Sequence, residues 1–283
     1  KDILKEAKKK GVSALAITDL NAMYGVKQFS DYAIDAGIKP VSGINVTVQT
    51  DKYSGDAILL AMNETGFINL SRLHYSQWAP YKDPRGKERI HSELFVTPDM
   101  LIGLSDVIML SGNGETGFLF QALKHGDTDT IRQICQSFSD RFYVEICRNP
   151  DSDDTDHEDS LFDFAYGNVL GEVVCDDGTV RSEWPLVGTN DIWYANASRH
   201  TGYRILEAMR TSSNAVMNDG KFHPPSFRVL EEEEFYNLFS DLPEAIENTF
   251  SVAMRCNHAV PSRSSVLPRL GAGDKSEDRM SLG

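Results

Sequence analysis

The stretch Ala14-Leu-Ala-Ile-Thr-Asp-Leu-Asn-Ala-Met-Tyr-Gly25 reads as a buried strand, a polar turn and the approach to a helix. Four apolar residues without alternation suit a strand covered on both faces. Thr18 and Asp19 end it, and Gly25 stands before a helical pattern over 26–36 that Gly37 stops. Phe29, Ala33 and Ile34 form the stripe expected to face the core.

The same unit recurs outward from there. Strands are expected at 40–48, 57–61, 107–110, 142–146 and 185–188. Helices are expected at 64–78, carrying Phe67, Leu70, Leu73 and Tyr75, and at 128–138, carrying Ile131, Ile134, Cys135 and Phe138. Such alternation specifies an α/β barrel or a doubly wound sheet. Polar residues follow several strands: Asp19, then Arg148 and Asn149, then Asn190 and Asp191. The carboxyl ends of barrel strands are where such folds keep their sites, although Asp and Asn there also cap the next turn.

Beyond Asp191 the pattern turns helical, at 201–209, 230–239 and 243–256. Glu231 to Glu234 read as a solvated helix start, suited to the positive end of the helix dipole. Six acidic residues crowd positions 151–159, without the central Gly and terminal Glu of a calcium loop. Positions 167–184 read as an insertion with a hairpin turn at Asp176-Asp-Gly-Thr. His74 is expected on a helix face and His157 in the acidic loop, each in a surface or packing role.

Composition narrows the function classes. The formal net charge is −14, which repels a phosphate backbone and argues against this segment gripping DNA. Residues 1–10 hold five lysines, read as the wet face of an amphipathic helix with Ile3, Leu4 and Ala7 turned inward. The four cysteines lack CxxC spacing and read as free thiols of a cytoplasmic protein. No apolar run has the roughly 20 residues of a membrane span. No Gly-rich phosphate loop, nucleophile elbow or Ser/His/Asp order is present.

Several stretches together resemble one family, the alpha subunits of bacterial DNA polymerase III. The opening stretch is similar to their ALALTDHGNMFG. Ala36-Gly-Ile-Lys-Pro-Val-Ser-Gly43, Leu59-Leu-Ala-Met-Asn-Glu-Thr-Gly-Phe-Ile-Asn-Leu70 and Pro185-Leu-Val-Gly-Thr-Asn-Asp191 resemble further segments, in the family's order. Asp241-Leu-Pro-Glu-Ala-Ile-Glu-Asn-Thr249, Ala253-Met-Arg-Cys256 and Leu267-Pro-Arg-Leu270 complete the set. The resemblance implies a PHP domain over 1–258, a distorted (β/α)7 barrel. It implies that the family's first strand, with its His-x-His pair, lies upstream of Lys1. Residues 259–283 would be a linker and the start of the polymerase palm.

The resemblance also implies a metal cluster in active PHP sites, and its positions can be compared one by one. Asp19 and Asp191 match family ligands. Leu20, Asn45, Asn149 and Trp193 stand where the family has His, Glu, His and His. Two carboxylates are too few for a cluster, since Leu and Trp cannot ligate and Asn is a poor ligand for zinc. The expectation is therefore a metal-free pocket, with Asp19 and Asp191 close together as remnant ligand positions and no cofactor in this fragment. Magnesium would belong to the palm, whose three aspartates are not found here. The implied whole is a DNA-directed DNA polymerase in replication. Its PHP portion would be a scaffold that meets the proofreading exonuclease and the rest of the holoenzyme, with DNA bound by downstream domains. A stand-alone PHP phosphoesterase is the alternative, and the lost ligands count against it.

Overall fold

A computed structural model describes residues 1–78, 81–82, 87–89, 93–150, 157–210 and 224–262. The expected palm start at 263–283, His223 and residues 151–156 of the acidic run lie outside the described residues. The main sheet has six strands: β1 (Ala14–Ile17), β2 (Lys39–Gln49), β3 (Ser54–Ala61), β4 (Val107–Leu110), β5 (Phe142–Cys147) and β6 (Leu186–Thr189), in that spatial order. β3 runs antiparallel to both neighbours, while β1 and β2, β4 and β5, and β5 and β6 pair in parallel. Five strands therefore point one way, and their carboxyl ends share one rim. The sheet curls as a half-barrel.

β3 makes the sheet mixed. Thr50 to Tyr53 make a tight turn between β2 and β3, with Thr50 N–H donating to the Tyr53 carbonyl at 2.9 Å. A turn that short permits only a hairpin, because a parallel connection needs a dozen or more residues.

Among the described residues nine helices of seven residues or more frame the sheet: α1 (Asp2–Lys9), α2 (Val26–Ala36), α3 (Glu64–Ser76), α4 (Phe118–Lys124), α5 (Thr128–Phe138), α6 (Glu158–Ala165), α7 (His200–Arg210), α8 (Glu232–Leu238) and α9 (Pro243–Arg255). Leu4 and Ala7 of α1 are buried against Ala33 and Ile38, as its amphipathic pattern requires. In α2 the inward stripe is Val26, Ser30 and Ala33, and Ile34 is exposed. One step past Ala33 is about 100° round the helix, which carries Ile34 off the stripe. Tyr75 is likewise exposed, two steps past buried Leu73 in α3.

Strand alternation divides the core. Ile44, Leu59, Met109 and Val144 pack with α3, α4, α5 and α6 on one face. Val41, Leu60, Leu110, Tyr143 and Val187 line the other, joined by Val252 of α9. The second of these clusters also determines how the β6 edge is closed. Asn248 Nδ2 donates to the Leu186 carbonyl at 2.8 Å and Thr249 Oγ1 to the Gly188 carbonyl at 2.7 Å. Side chains of α9 thus take the acceptors that a seventh strand would use, one of the ways proteins blunt a strand edge.

The insertion at 167–184 is packed into the core. Its hairpin pairs Val173–Val174 with Val180–Arg181, and Trp184 is buried, stacked on Phe164 and edge-on to Phe142. Ser139 Oγ donates to Asp177 at 2.6 Å and anchors the turn. At α8, Glu234 does more than solvate a helix start. It pairs with Arg228 at 2.6 Å and accepts from Glu231 N–H at 2.8 Å, and these bonds pull its carboxyl down to about 2.

Candidate functional site at the strand ends

Tyr143, Glu145 and Cys147 alternate onto the inner face of β5, where their register partners on β6 include Val187 and Thr189. Apolar side chains fill the lower part of this face, and polar ones crowd its carboxyl end. Glu145 is 1% exposed. Thr189 Oγ1 donates to its Oε1 at 2.7 Å, Gly112 N–H donates to the carboxyl, and Oε2 has no partner. Burial pushes this carboxyl up to about 7, with the negative charge of Asp191 adding to the effect.

Asp191 follows β6 and is half-buried. Asn113 Nδ2 donates to its Oδ2 at 2.8 Å. Burial raises its affinity for a proton, and the Asn113 hydrogen bond opposes that. Burial and the nearby Asp191 and Glu145 charges hold the Cys147 thiol well above its ordinary range. Asn149 is buried with Oδ1 unpartnered.

Asp19 lies across the sheet, past β1. Its backbone carbonyl accepts from Asn45 N–H at 3.2 Å, and Leu20 forms a parallel bridge with Asn45. A Cβ added at Gly25 would lie 3.2 Å from Asp19 Oδ2, so the carboxylate sits against the start of α2. Burial alone raises the Asp19 carboxyl, and Asp191 makes no contribution. The carbonyl oxygen of the Asn45 side chain is buried and unpartnered.

The structure therefore gathers Asp191 with Glu145, Cys147 and Asn113, and gathers Asp19 with Asn45. No contact joins the two carboxylates at 19 and 191 among the described residues. Leu20 and Trp193 are 57% and 50% exposed at the rim and offer no ligand atoms. Among the described residues no three His, Cys, Asp or Glu side chains converge to hold a metal ion. The donor set is amide and carboxyl oxygen, much of it already engaged by Asn113, Thr189 and Gly112, and does not fit the metal cluster of an active PHP site.

Glu145, Asn113 and Cys147 were not among the residues expected at this site. A Glu inside Phe142-Tyr-Val-Glu-Ile-Cys147 is the signal that marks the first of them, because a lone carboxylate in an apolar strand must find buried partners. His157 takes the packing role: it is 3% exposed and edge-on to Phe120, at the start of α6 against the core.

A family model described as the PHP domain matches residues 1–149. The DNA polymerase III subunit alpha of Escherichia coli strain K12 is 28% identical over 287 residues, which cover 98% of this chain and 23% of that protein. The subunit of the same name from Caulobacter vibrioides is 29% identical over 278 residues, covering 92% of this chain and 22% of that protein. The chain thus spans less than a quarter of the length of these relatives. A solved amidohydrolase from Chromobacterium violaceum shares 13% identity and a TM-score of 0.29, over 51% of this chain and 79% of that one. The family match extends from α1 through the strand ends of β1, β2, β4 and β5, more than half of the sequence, and the chain belongs to the PHP domain family.

Proposed function

We propose that this chain is the PHP portion of a DNA polymerase III alpha subunit and that it serves replication as a scaffold without chemistry of its own. Similarity running along nearly all of the chain to alpha subunits carries this reading. In it, polymerisation belongs to a downstream palm whose aspartates hold magnesium for in-line phosphoryl transfer. The barrel's outer surface meets the proofreading exonuclease and packs against the palm.

The strand ends support a metal-free pocket. Asp191 is committed to Asn113, and Glu145 to Thr189 and Gly112. Asp19 and Asp191 are remnant ligand positions in this reading. The charge of −14 supports a segment that meets protein and leaves DNA to other domains. No described helix is long and apolar enough to cross a membrane, and the working compartment is proposed to be the cytoplasm.

The test has three arms: elemental analysis, a pull-down with the cognate exonuclease, and a DNA shift assay at physiological salt. The expected outcome is no stoichiometric metal, exonuclease capture and weak, salt-sensitive DNA binding. Stoichiometric zinc or manganese that is lost on Asp191→Ala would sink the metal-free assignment and favour a phosphoesterase. Tight DNA binding without exonuclease capture would overturn the scaffold role.

A further inference from the structure

Two cysteines meet where the 167–184 insertion lies along α5, away from the strand ends. Three grips fasten the insertion to this helix in order. Arg132 Nη2 donates to the Leu170 carbonyl at 2.7 Å and its Nη1 to the Glu172 carbonyl at 3.2 Å. The Gln136 carbonyl accepts from Asp176 N–H at 3.0 Å. Just past the helix end, Ser139 Oγ donates to Asp177 at 2.6 Å. Arg132, Cys135 and Ser139 are three and four residues apart and so share one stripe, which places Cys135 in the middle of the grips.

Cys135 is thereby held against Cys175, 40 residues later in the chain. Cys175 Sγ lies 3.9 Å from the Cys135 carbonyl oxygen, and the two residues are 0% and 4% exposed. Burial raises the Cys135 thiol, and the charge of a Cys175 thiolate adds to that, so the sulfurs lie within electrostatic reach of each other. The other two cysteines are elsewhere, Cys147 at the end of β5 and Cys256 after α9. Only a thin cover separates Cys175 from solvent. Val174 and Val180, cross-strand partners in the hairpin, are 62% and 57% exposed. A two-stranded hairpin is marginally stable by itself, so its local opening uncovers Cys175.

We propose that Cys135 and Cys175 form a redox-modification site, a dithiol that a peroxide converts into a disulfide locking the insertion to α5. With the hairpin lifted, the Cys175 thiolate attacks a peroxide oxygen. An S–O bond forms, the O–O bond breaks, and the departing hydroxide leaves as water with the proton the thiol gave up. When the hairpin closes, Cys135 sulfur attacks the sulfenic sulfur of Cys175. The S–S bond forms, the S–O bond breaks, and the hydroxide takes the Cys135 proton as a second water. Two thiols and one peroxide thus give one disulfide and two waters. The grips already hold the two backbones side by side, which is the condition a disulfide requires. Burial in the closed form keeps the thiols from reacting at random. A thiol reductant reopens the bond, as it does the transient disulfides of reducing compartments.

The test treats the folded chain with a small excess of hydrogen peroxide, alkylates the remaining thiols and maps tryptic peptides without reduction. Trypsin leaves the four cysteines on four separate peptides, 133–141, 142–148, 149–181 and 256–263. The expected main product joins 133–141 to 149–181, is lighter by the two hydrogens lost, and is undone by dithiothreitol. Cys147 and Cys256 should remain alkylated. Native-state cleavage after Arg181 should slow about tenfold in the oxidised chain, since a locked hairpin no longer opens. The parent chain carries the whole experiment, so no variant has to fold. Three results would overturn the proposal. One is a majority of links through Cys147 or Cys256. Another is a 135–175 link that forms only in urea, where the folded contact is gone. The third is Cys175 oxidised to sulfinic acid while Cys135 stays free.

Discussion

Glu145→Gln isolates the effect of a buried carboxyl at the strand ends. Glu145 is held at about 7, against an ordinary 4.5. At roughly 1.4 kcal/mol per tenfold change in proton affinity, the ionised form destabilises the fold by about 3 kcal/mol. The sign follows from the direction of the shift. Below the unfolded value both states are protonated and no penalty exists. Between 4.5 and about 7 the unfolded chain releases its proton first, so stability falls as pH rises. Above about 7 the full penalty is present.

Glutamine has the same shape and cannot ionise. It keeps an oxygen for the Thr189 hydroxyl and the Gly112 N–H. Its Nε2 takes the place of the unpartnered Oε2. Urea unfolding of parent and variant from pH 5 to 8 reads the difference directly, since groups other than Glu145 cancel. The variant should exceed the parent by about 1 kcal/mol near pH 5 and by up to about 3 kcal/mol at pH 8. Parallel curves across that range would refute the buried-carboxyl reasoning.

Three further outcomes are expected. Gly112→Ala should destabilise by more than about 3 kcal/mol in urea melts, because Gly112 has φ +94 and an added Cβ would lie 1.7 Å from the Asp56 carbonyl oxygen. Arg148→Ala should cost about 3–5 kcal/mol in the same assay, since Arg148 pairs with Glu158 and Asp241 at 2.6 Å and its loss strands the buried Glu158 carboxylate. Thr249→Val should cost about 1 kcal/mol and speed exchange of the Gly188 amide, which faces the edge of β6 that α9 covers.

The strands were legible because each is a short run of Val, Ile and Leu bounded by turn residues, and helices α2 and α5 begin and end where Gly25, Gly37 and Asp127 place them. The reversed direction of β3 was not legible. Reading the strands as 40–48 and 57–61 leaves eight residues between them, and the true turn is hidden because both strands extend beyond their apolar centres. Helices α4 and α6, of seven and eight residues, are too short for a 3.6-residue period to declare itself. At the site, Asp19 and Asp191 were found from position and resemblance. Their hydrogen-bond partners were not, because Asn113 reaches Asp191 from 78 residues away in the chain.

The polar residues at the rim explain each other better than they explain a metal. A cation cluster needs carboxylates that stay ionised and turn their lone pairs toward one point. Here burial pushes the Glu145 carboxyl up to about 7, with the Asp191 charge adding to the effect, and burial raises the Asp191 carboxyl as well. Asn113 then supplies the donor that Asp191 needs, and Thr189 does the same for Glu145. Apolar Leu20 and Trp193 at ligand positions remove the remaining means of holding a cation. A rim so arranged ties the ends of β4, β5 and β6 together through hydrogen bonds.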